Sequence, residues 1–249
     1  MRRTAFISGG GTGIGLAVAK ALADDGTDIT LFGRRRAPLE QAAAQITAAG
    51  GVARWYQADL CRPAEVESAA SAALAACGGT LDLLVNNAGL TGTGHPWGLA
   101  SIAENWQTQW RANVLPPVLL TEAVRRHLRR PGGRVVTISS YGAFLPGNAP
   151  YSSAKAALHT WMYSLAAELG GKQITVNTVA PGFVDGTDNE AAAHIGEAAH
   201  RSLVDATLLR RAGRPQDVAA AVRWLGSADA CHVTGQILHV NGGAVLSRG

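Results

Sequence analysis

Tyr151 and Lys155 stand four residues apart, a spacing that puts both side chains on one face of a helix, one turn from each other. A phenol with an unperturbed pKa of about 10 is a poor acid–base group at neutral pH. A neighbouring ammonium stabilises the phenolate and brings that pKa toward the working range. The pair draws on scarce material, since the chain holds only 4 Tyr and 3 Lys (Lys20, Lys155, Lys172). The chemistry within its reach is proton transfer to or from an oxygen.

A glycine-rich run, Ser8-Gly9-Gly10-Gly11-Thr12-Gly13-Ile14-Gly15, follows an apolar segment and opens an Ala-rich one. At a strand-to-helix turn of this kind a pyrophosphate meets free backbone N–H groups and the positive end of a helix dipole, and side chains there would block it. The run therefore predicts a dinucleotide site. The next apolar segment ends Gly33-Arg34-Arg35-Arg36, without the carboxylate that would grip a ribose 2′-hydroxyl. Arg34 and Arg35 are suited to a 2′-phosphate, so NADP is expected, with NAD the alternative. The competing reading of the arginines is a solvated helix start. Asn86-Asn87-Ala88-Gly89 is by itself a turn of residues that tolerate left-handed backbone.

Short apolar runs alternate with longer Ala-rich stretches, the pattern of a parallel sheet covered by helices on both faces. Strands are expected at Thr4–Ser8, Asp28–Phe32, Ala53–Gln57, Leu81–Asn86, Arg134–Ser139, Thr175–Ala180 and Ile237–Val240. Helices are expected near Gly13–Asp24, Leu39–Ala49, Ala64–Ala76, Ile102–Leu115, Pro117–Leu128, Ser152–Leu169 and Gln216–Leu225. The fold class is thus α/β, a doubly wound (Rossmann) seven-stranded parallel sheet in one domain spanning residues 1–249. The polar stretch from Asp185 to Leu203 fits no regular element and reads as a substrate lid. The net charge of +4 is spread along the chain, which argues against a nucleic-acid binder. Cys61, Cys77 and Cys231 lack the spacing of a disulfide framework or a metal site, and no run is apolar enough for a membrane span or leader. No metal and no membrane are expected, and the location expected is cytoplasmic.

Taken in order, these motifs resemble the short-chain dehydrogenase/reductase family over essentially the whole chain, with a likeness to 3-oxoacyl-carrier-protein reductases. Ser8 stands where the family's TGxxxGxG motif has Thr, and a hydroxyl is retained. The resemblance assigns Gly9, Gly11, Thr12, Gly13, Ile14, Gly15, Arg34, Arg35, Asp59, Leu60, Asn87, Ala88, Gly89, Pro181, Gly182 and Val184 to the cofactor, together with Tyr151 and Lys155. Asp59 would contact adenine, or else cap the following helix. Tyr151, Lys155, Ser140 and Asn113 would be catalytic, Asn113 holding a relay water. Ser139 stays open as the alternative serine, because Ser140 lies two residues nearer Tyr151 than the family spacing. Thr187 arrives one residue late for its role toward the cofactor.

The reaction implied is hydride exchange between NADP(H) and a ketone or secondary alcohol. The substrate is a 3-oxoacyl thioester, a small ketone, a sugar or a secondary-metabolite intermediate, faced by Leu90–Trp97, Phe144, Leu145 and the 185–203 stretch. Arg129, Arg130 and Lys172 would meet an acidic carrier or are plain solvated charges. A non-catalytic NADP-sensing regulator is the remaining class, disfavoured by the intact Tyr, Lys, Ser and Asn set. The resemblance also implies a homotetramer.

Overall fold

The central apolar runs are strands buried on both faces, and their side chains alternate between two separate cores. Ala5 and Ile7 join one core and Phe6 the other; Ile29 and Leu31 oppose Phe32; Leu83 and Val85 oppose Leu84. This period of two is what a pleated strand imposes, and burial on both faces is why the runs read as continuously apolar.

The computed structural model describes residues 2–91, 97–186 and 196–246. Its strands are β1 (Thr4–Ser8), β2 (Asp28–Gly33), β3 (Ala53–Gln57), β4 (Leu83–Asn86), β5 (Arg134–Ile138), β6 (Thr175–Pro181) and β7 (Ile237–Val240). The helices are α1 (Gly13–Asp24), α2 (Arg36–Ala48), α3 (Pro63–Ala76), α4 (Leu99–Asn113), α5 (Leu115–Val124), α6 (Ala149–Gly170), α7 (Glu197–Asp205) and α8 (Pro215–Gly226). All seven strands are parallel, in the order β3-β2-β1-β4-β5-β6-β7. Helices α1, α2 and α8 cover one face, while α3, α5 and α6 cover the other.

The strand order reverses between β1 and β4. In such sheets the connections leave in opposite directions there and open a crevice at the carboxyl ends of the strands. The glycine run follows β1, Asn87–Gly89 follows β4, Ser140 follows β5 and Gly182 follows β6, so all four motifs rim that crevice.

Most helix and strand ends shift by one to four residues from expectation, among them α4 (Leu99–Asn113), α5 (Leu115–Val124) and the ends of β2, β5 and β6. β4 begins at Leu83, because Leu81 makes only an isolated bridge with Leu128. α6 begins at Ala149 instead of Ser152: Asn148 is its N-cap, with the side-chain oxygen accepting the Tyr151 N–H at 3.4 Å, and Pro150 fits the first turn. Tyr151 therefore lies inside the first turn of α6. Within the expected lid, Glu197–Asp205 forms α7, and residues 187–195 lie outside the described residues.

Candidate active site

The glycine turn is a cradle that side chains would fill. Gly9 and Gly13 have φ of +65° and +53°, the left-handed region that favours glycine. A Cβ on Gly11 would come within 3.1 Å of Pro38, and one on Gly15 would fall on the carbonyl of Gly9. Thr12 is the N-cap of α1, its side chain makes no capping hydrogen bond to the helix, and the first turn carries no acidic residue. Its N–H groups are thus presented with the positive end of the dipole, which fits a pyrophosphate. Arg35 extends over this turn, its guanidinium 3.4 Å from Thr12 Oγ1. Arg34 is exposed beside it, whereas Arg36 lies over the Trp55 ring and pairs with Glu40.

The end of β4 is tied to this cradle. Ser8 Oγ accepts the N–H groups of Asn87 (2.9 Å) and Ala88 (3.0 Å), and Asn87 Nδ2 donates to the carbonyls of Ser8 and Gly9, each at 3.1 Å. Gly89 is the contact point of three elements: a Cβ there would lie 2.8 Å from Asn113 Oδ1 and 3.1 Å from Lys155 Nζ. Asn113 is fully buried where α4 gives way to α5. Its Oδ1 accepts Leu90 N–H at 3.1 Å, and its Nδ2 donates to Leu90 O, Gln109 O and Gln109 Oε1.

Ser139 and Ser140 face opposite ways, as consecutive residues of an extended chain must. Ser140 Oγ accepts Gly142 N–H at 3.1 Å, and Gly142 lies between it and the Tyr151 ring: a Cβ there would come 3.3 Å from Ser140 Oγ and 3.7 Å from Tyr151 Cε1. Ser139 Oγ turns to α6, 3.2 Å from the Lys155 carbonyl and 2.8 Å from His159 Nε2. Lys155 is buried, and its Nζ donates to Ile138 O at 3.2 Å while lying 5.9 Å from the Tyr151 ring centroid. A phenol, a hydroxyl and an ammonium thus meet beside the dinucleotide cradle.

A family profile described as enoyl-(acyl carrier protein) reductase matches residues 9–245. The chain belongs to the short-chain dehydrogenase/reductase family. An uncharacterised oxidoreductase of Methylorubrum extorquens is 36% identical over 248 residues, 97% of each chain. A 3-oxoacyl-[acyl-carrier-protein] reductase of Synechocystis is 34% identical over 251 residues, 98% of this chain and 97% of that one. A short-chain dehydrogenase of Burkholderia cenocepacia, solved in complex with NADP, superposes with a TM-score of 0.86 at 35% identity, covering 98% and 97%.

In this short-chain dehydrogenase/reductase the protein's own side chains do not bring the phenol pKa down. Burial pushes Tyr151 above its ordinary value, the Ser140 hydrogen bond pulls it back in part, and Tyr141 pushes it up again. The ammonium acts on the ring from its face and is itself lowered to about 8 by desolvation. The expectation that the Lys155 ammonium brings Tyr151 down is corrected for the protein's own groups: desolvation is the largest effect on the phenol and holds it up.

Other expected residues divide by what they touch. Asp59 does not cap α3, whose N-cap is Arg62; its Oδ1 accepts Cys61 N–H at 3.0 Å in a local turn. The Leu60 side chain belongs to the core, which leaves its backbone for a ligand. Gly182 packs on Asn241, where a Cβ would come within 2.8 Å, and follows Pro181, paired with Val240. Val184 is held by an isolated bridge to Gly213. Thr187 lies outside the described residues. Arg129, Arg130 and Lys172 precede β5 and β6, at the amino ends of the strands and opposite the crevice, and Arg129 is paired with buried Asp82. Sequence reasoning missed Gln109 and His159. Both stand four residues from a named one, Gln109 from Asn113 and His159 from Lys155, and that spacing was the available signal.

Proposed function

We propose that this enzyme interconverts a ketone and a secondary alcohol with NADP(H), Tyr151 moving the proton at the carbonyl oxygen. The observation that carries the reading is the Tyr151 phenol in the first turn of α6, one turn from Lys155 and across Gly142 from Ser140 Oγ. NADPH, when bound, supplies the hydride to the carbonyl carbon. Ser140 then donates a hydrogen bond to the carbonyl oxygen, and Tyr151 delivers its proton to that oxygen as negative charge develops. That delivery leaves a phenolate, which the positive end of α6 favours, and in the reverse direction the phenolate takes the proton from the alcohol. Lys155 binds ribose hydroxyls and adds positive charge. Both N–H groups of the Asn113 amide are spent on protein acceptors. Asn113 therefore acts as a tie between α4 and the β4 loop, and its amide donors are not available to a relay water.

NADP over NAD is supported by Arg34 and Arg35, by the missing carboxylate after β2, and by the NADP complex of the Burkholderia relative. A 3-oxoacyl thioester is supported by the Synechocystis reductase. A free ketone is the second reading, favoured because the basic trio that would greet an acidic carrier sits away from the crevice. We also infer a homotetramer, supported by exposed apolar side chains on α4 and near β7.

Turnover of an acetoacetyl thioester and of a panel of free ketones, each with NADPH and with NADH, separates these substrates and cofactors. Tyr151→Phe is expected to lose on the order of 10²–10⁴-fold in turnover while still binding NADPH. Wild-type rates in that variant would sink the mechanism.

A further inference from the structure

Ser140 heads a short turn whose far end is gripped by two imidazoles. Tyr141–Phe144 form one 3₁₀ turn with Ser140 as N-cap, and Ala143 N–H donates to the Ser140 carbonyl at 3.1 Å. At the last residue of the turn the Phe144 ring stacks on His159 of α6, with centroids 4.9 Å apart and planes at 25°. Its other neighbour is His239 of β7, at 4.6 Å and 56°. Both imidazoles are anchored in turn. His159 Nε2 meets Ser139 Oγ, and Asn241 Nδ2 donates to His239 Nδ1 at 3.4 Å. Strand β5, helix α6 and strand β7 thus converge on one phenyl ring four residues from Ser140.

Burial lowers His159 to about 4, with His239 adding to the effect, and burial lowers His239 as well. Both rings are neutral at working pH, so stacking a phenyl group between them desolvates no charge, and tilted or offset ring pairs add attraction beyond their buried area. Phe144 is still 40% exposed overall. Its hold on the molecule is therefore the pair of ring contacts and not core burial.

We propose that Phe144 is a positioning residue for the Ser140 hydroxyl: clamped between His159 and His239, it fixes the Ser140–Phe144 turn so that Ser140 meets Tyr151. This rests on Ser140 and Tyr151 acting at the carbonyl oxygen as argued above. The Ser140 hydroxyl accepts Gly142 N–H within the turn, and Gly142 separates it from the Tyr151 ring by little more than the space of one methyl group. Freeing the far end of the turn releases both together.

The test reads geometry and catalysis separately. Hydrogen exchange of the Gly142 amide, which donates to Ser140 Oγ, is measured without substrate. Turnover is measured with NADPH and acetoacetyl-N-acetylcysteamine. In Phe144→Ala, Gly142 exchanges faster and kcat falls on the order of tenfold or more, with the KM for NADPH unchanged. Phe144→Tyr keeps the ring and restores both readings. His239→Leu removes one imidazole while leaving every residue of the turn in place, and moves both readings in the same direction, which keeps the proposal testable if Phe144→Ala does not fold. Unchanged Gly142 exchange and unchanged kcat in these variants overturn it. Should Tyr151→Phe retain turnover, the catalytic reading falls, while Gly142 exchange still decides whether the clamp exists.

Discussion

Lys155 is buried to 5% exposure with one carbonyl, Ile138 O, as the hydrogen-bond partner of its ammonium. Its pKa falls to about 8 from 10.5 because of desolvation. A base whose pKa is lower folded than unfolded is bound more tightly to its proton in the unfolded chain, so stability rises with pH across the window between the two values. Below about pH 8 the full penalty of burying the ammonium is present. At 1.36 kcal/mol per unit it amounts to about 3 kcal/mol. Lys155→Met, which keeps the stem and removes the charge, is therefore expected to raise the unfolding free energy at pH 7 by about 2–3 kcal/mol, with the gain shrinking as pH rises from 8 toward 10.5, and to abolish turnover. Denaturant unfolding at several pH values checks this, and an unstabilised variant at pH 7 would refute it. Such a gain would mark the lysine as kept for chemistry at the expense of the fold.

Among the elements, the link between β1 and β4 sets the shape of the cradle. Ser8 Oγ takes two backbone N–H groups from the β4 loop, so Ser8→Ala leaves both without that acceptor in a half-buried site, at about 1–3 kcal/mol. Asn87 then loses one of its holds on the glycine turn, and NADPH is expected to bind more weakly with little change in kcat at saturation. Ser8→Thr retains the hydroxyl and should bind as the parent does. Fluorescence titration with NADPH distinguishes the two, and equal affinities in Ser8→Ala and the parent would remove Ser8 from this role. The strands were legible because burial on both faces leaves runs such as Ala5–Ile7 and Leu83–Val85 apolar throughout, and glycines mark the turns between them. Helix α7 was not legible, since none of its residues is buried and Glu197–Asp205 shows a polar surface pattern. The choice between Ser139 and Ser140 was invisible to spacing alone. It depends on which face of β5 meets α6, and a strand alternates faces at every residue. The Phe144 clamp was hidden for another reason: His159 and His239 lie 80 residues apart in the chain, and the fold brings each onto the Phe144 ring.

For the molecule as a whole, the informative surface is apolar. Leu99, Ile102, Trp106 and Trp110 follow helical spacing along one face of α4, and all are exposed, Leu99 to 87%. Leu208, Leu209 and Leu246 are exposed elsewhere, with Leu208 against Gly243, the residue at which a Cβ would press on its side chain. Aromatic side chains grouped on one helix face form an apolar patch of the kind that soluble chains bury against a partner. One self-complementary patch closes a dimer, and two patches on separate elements build a tetramer as a dimer of dimers. Trp106→Arg places a charge in the α4 patch alone, so it is expected to convert the proposed tetramer to a dimer held by the patch near β7. Leu208→Arg is expected to leave the complementary dimer held by α4, and the double variant a monomer. Sedimentation velocity reads all three states directly. A parent protein that sediments as a monomer would refute the assembly, and a Trp106→Arg variant that remains tetrameric would remove α4 from it. Because α4 also ends at Asn113, which holds Leu90 beside Gly89 and Lys155, loss of the α4 contact should lower kcat as well as subunit number. Loss of the β7 contact should leave the Asn113 tie in place.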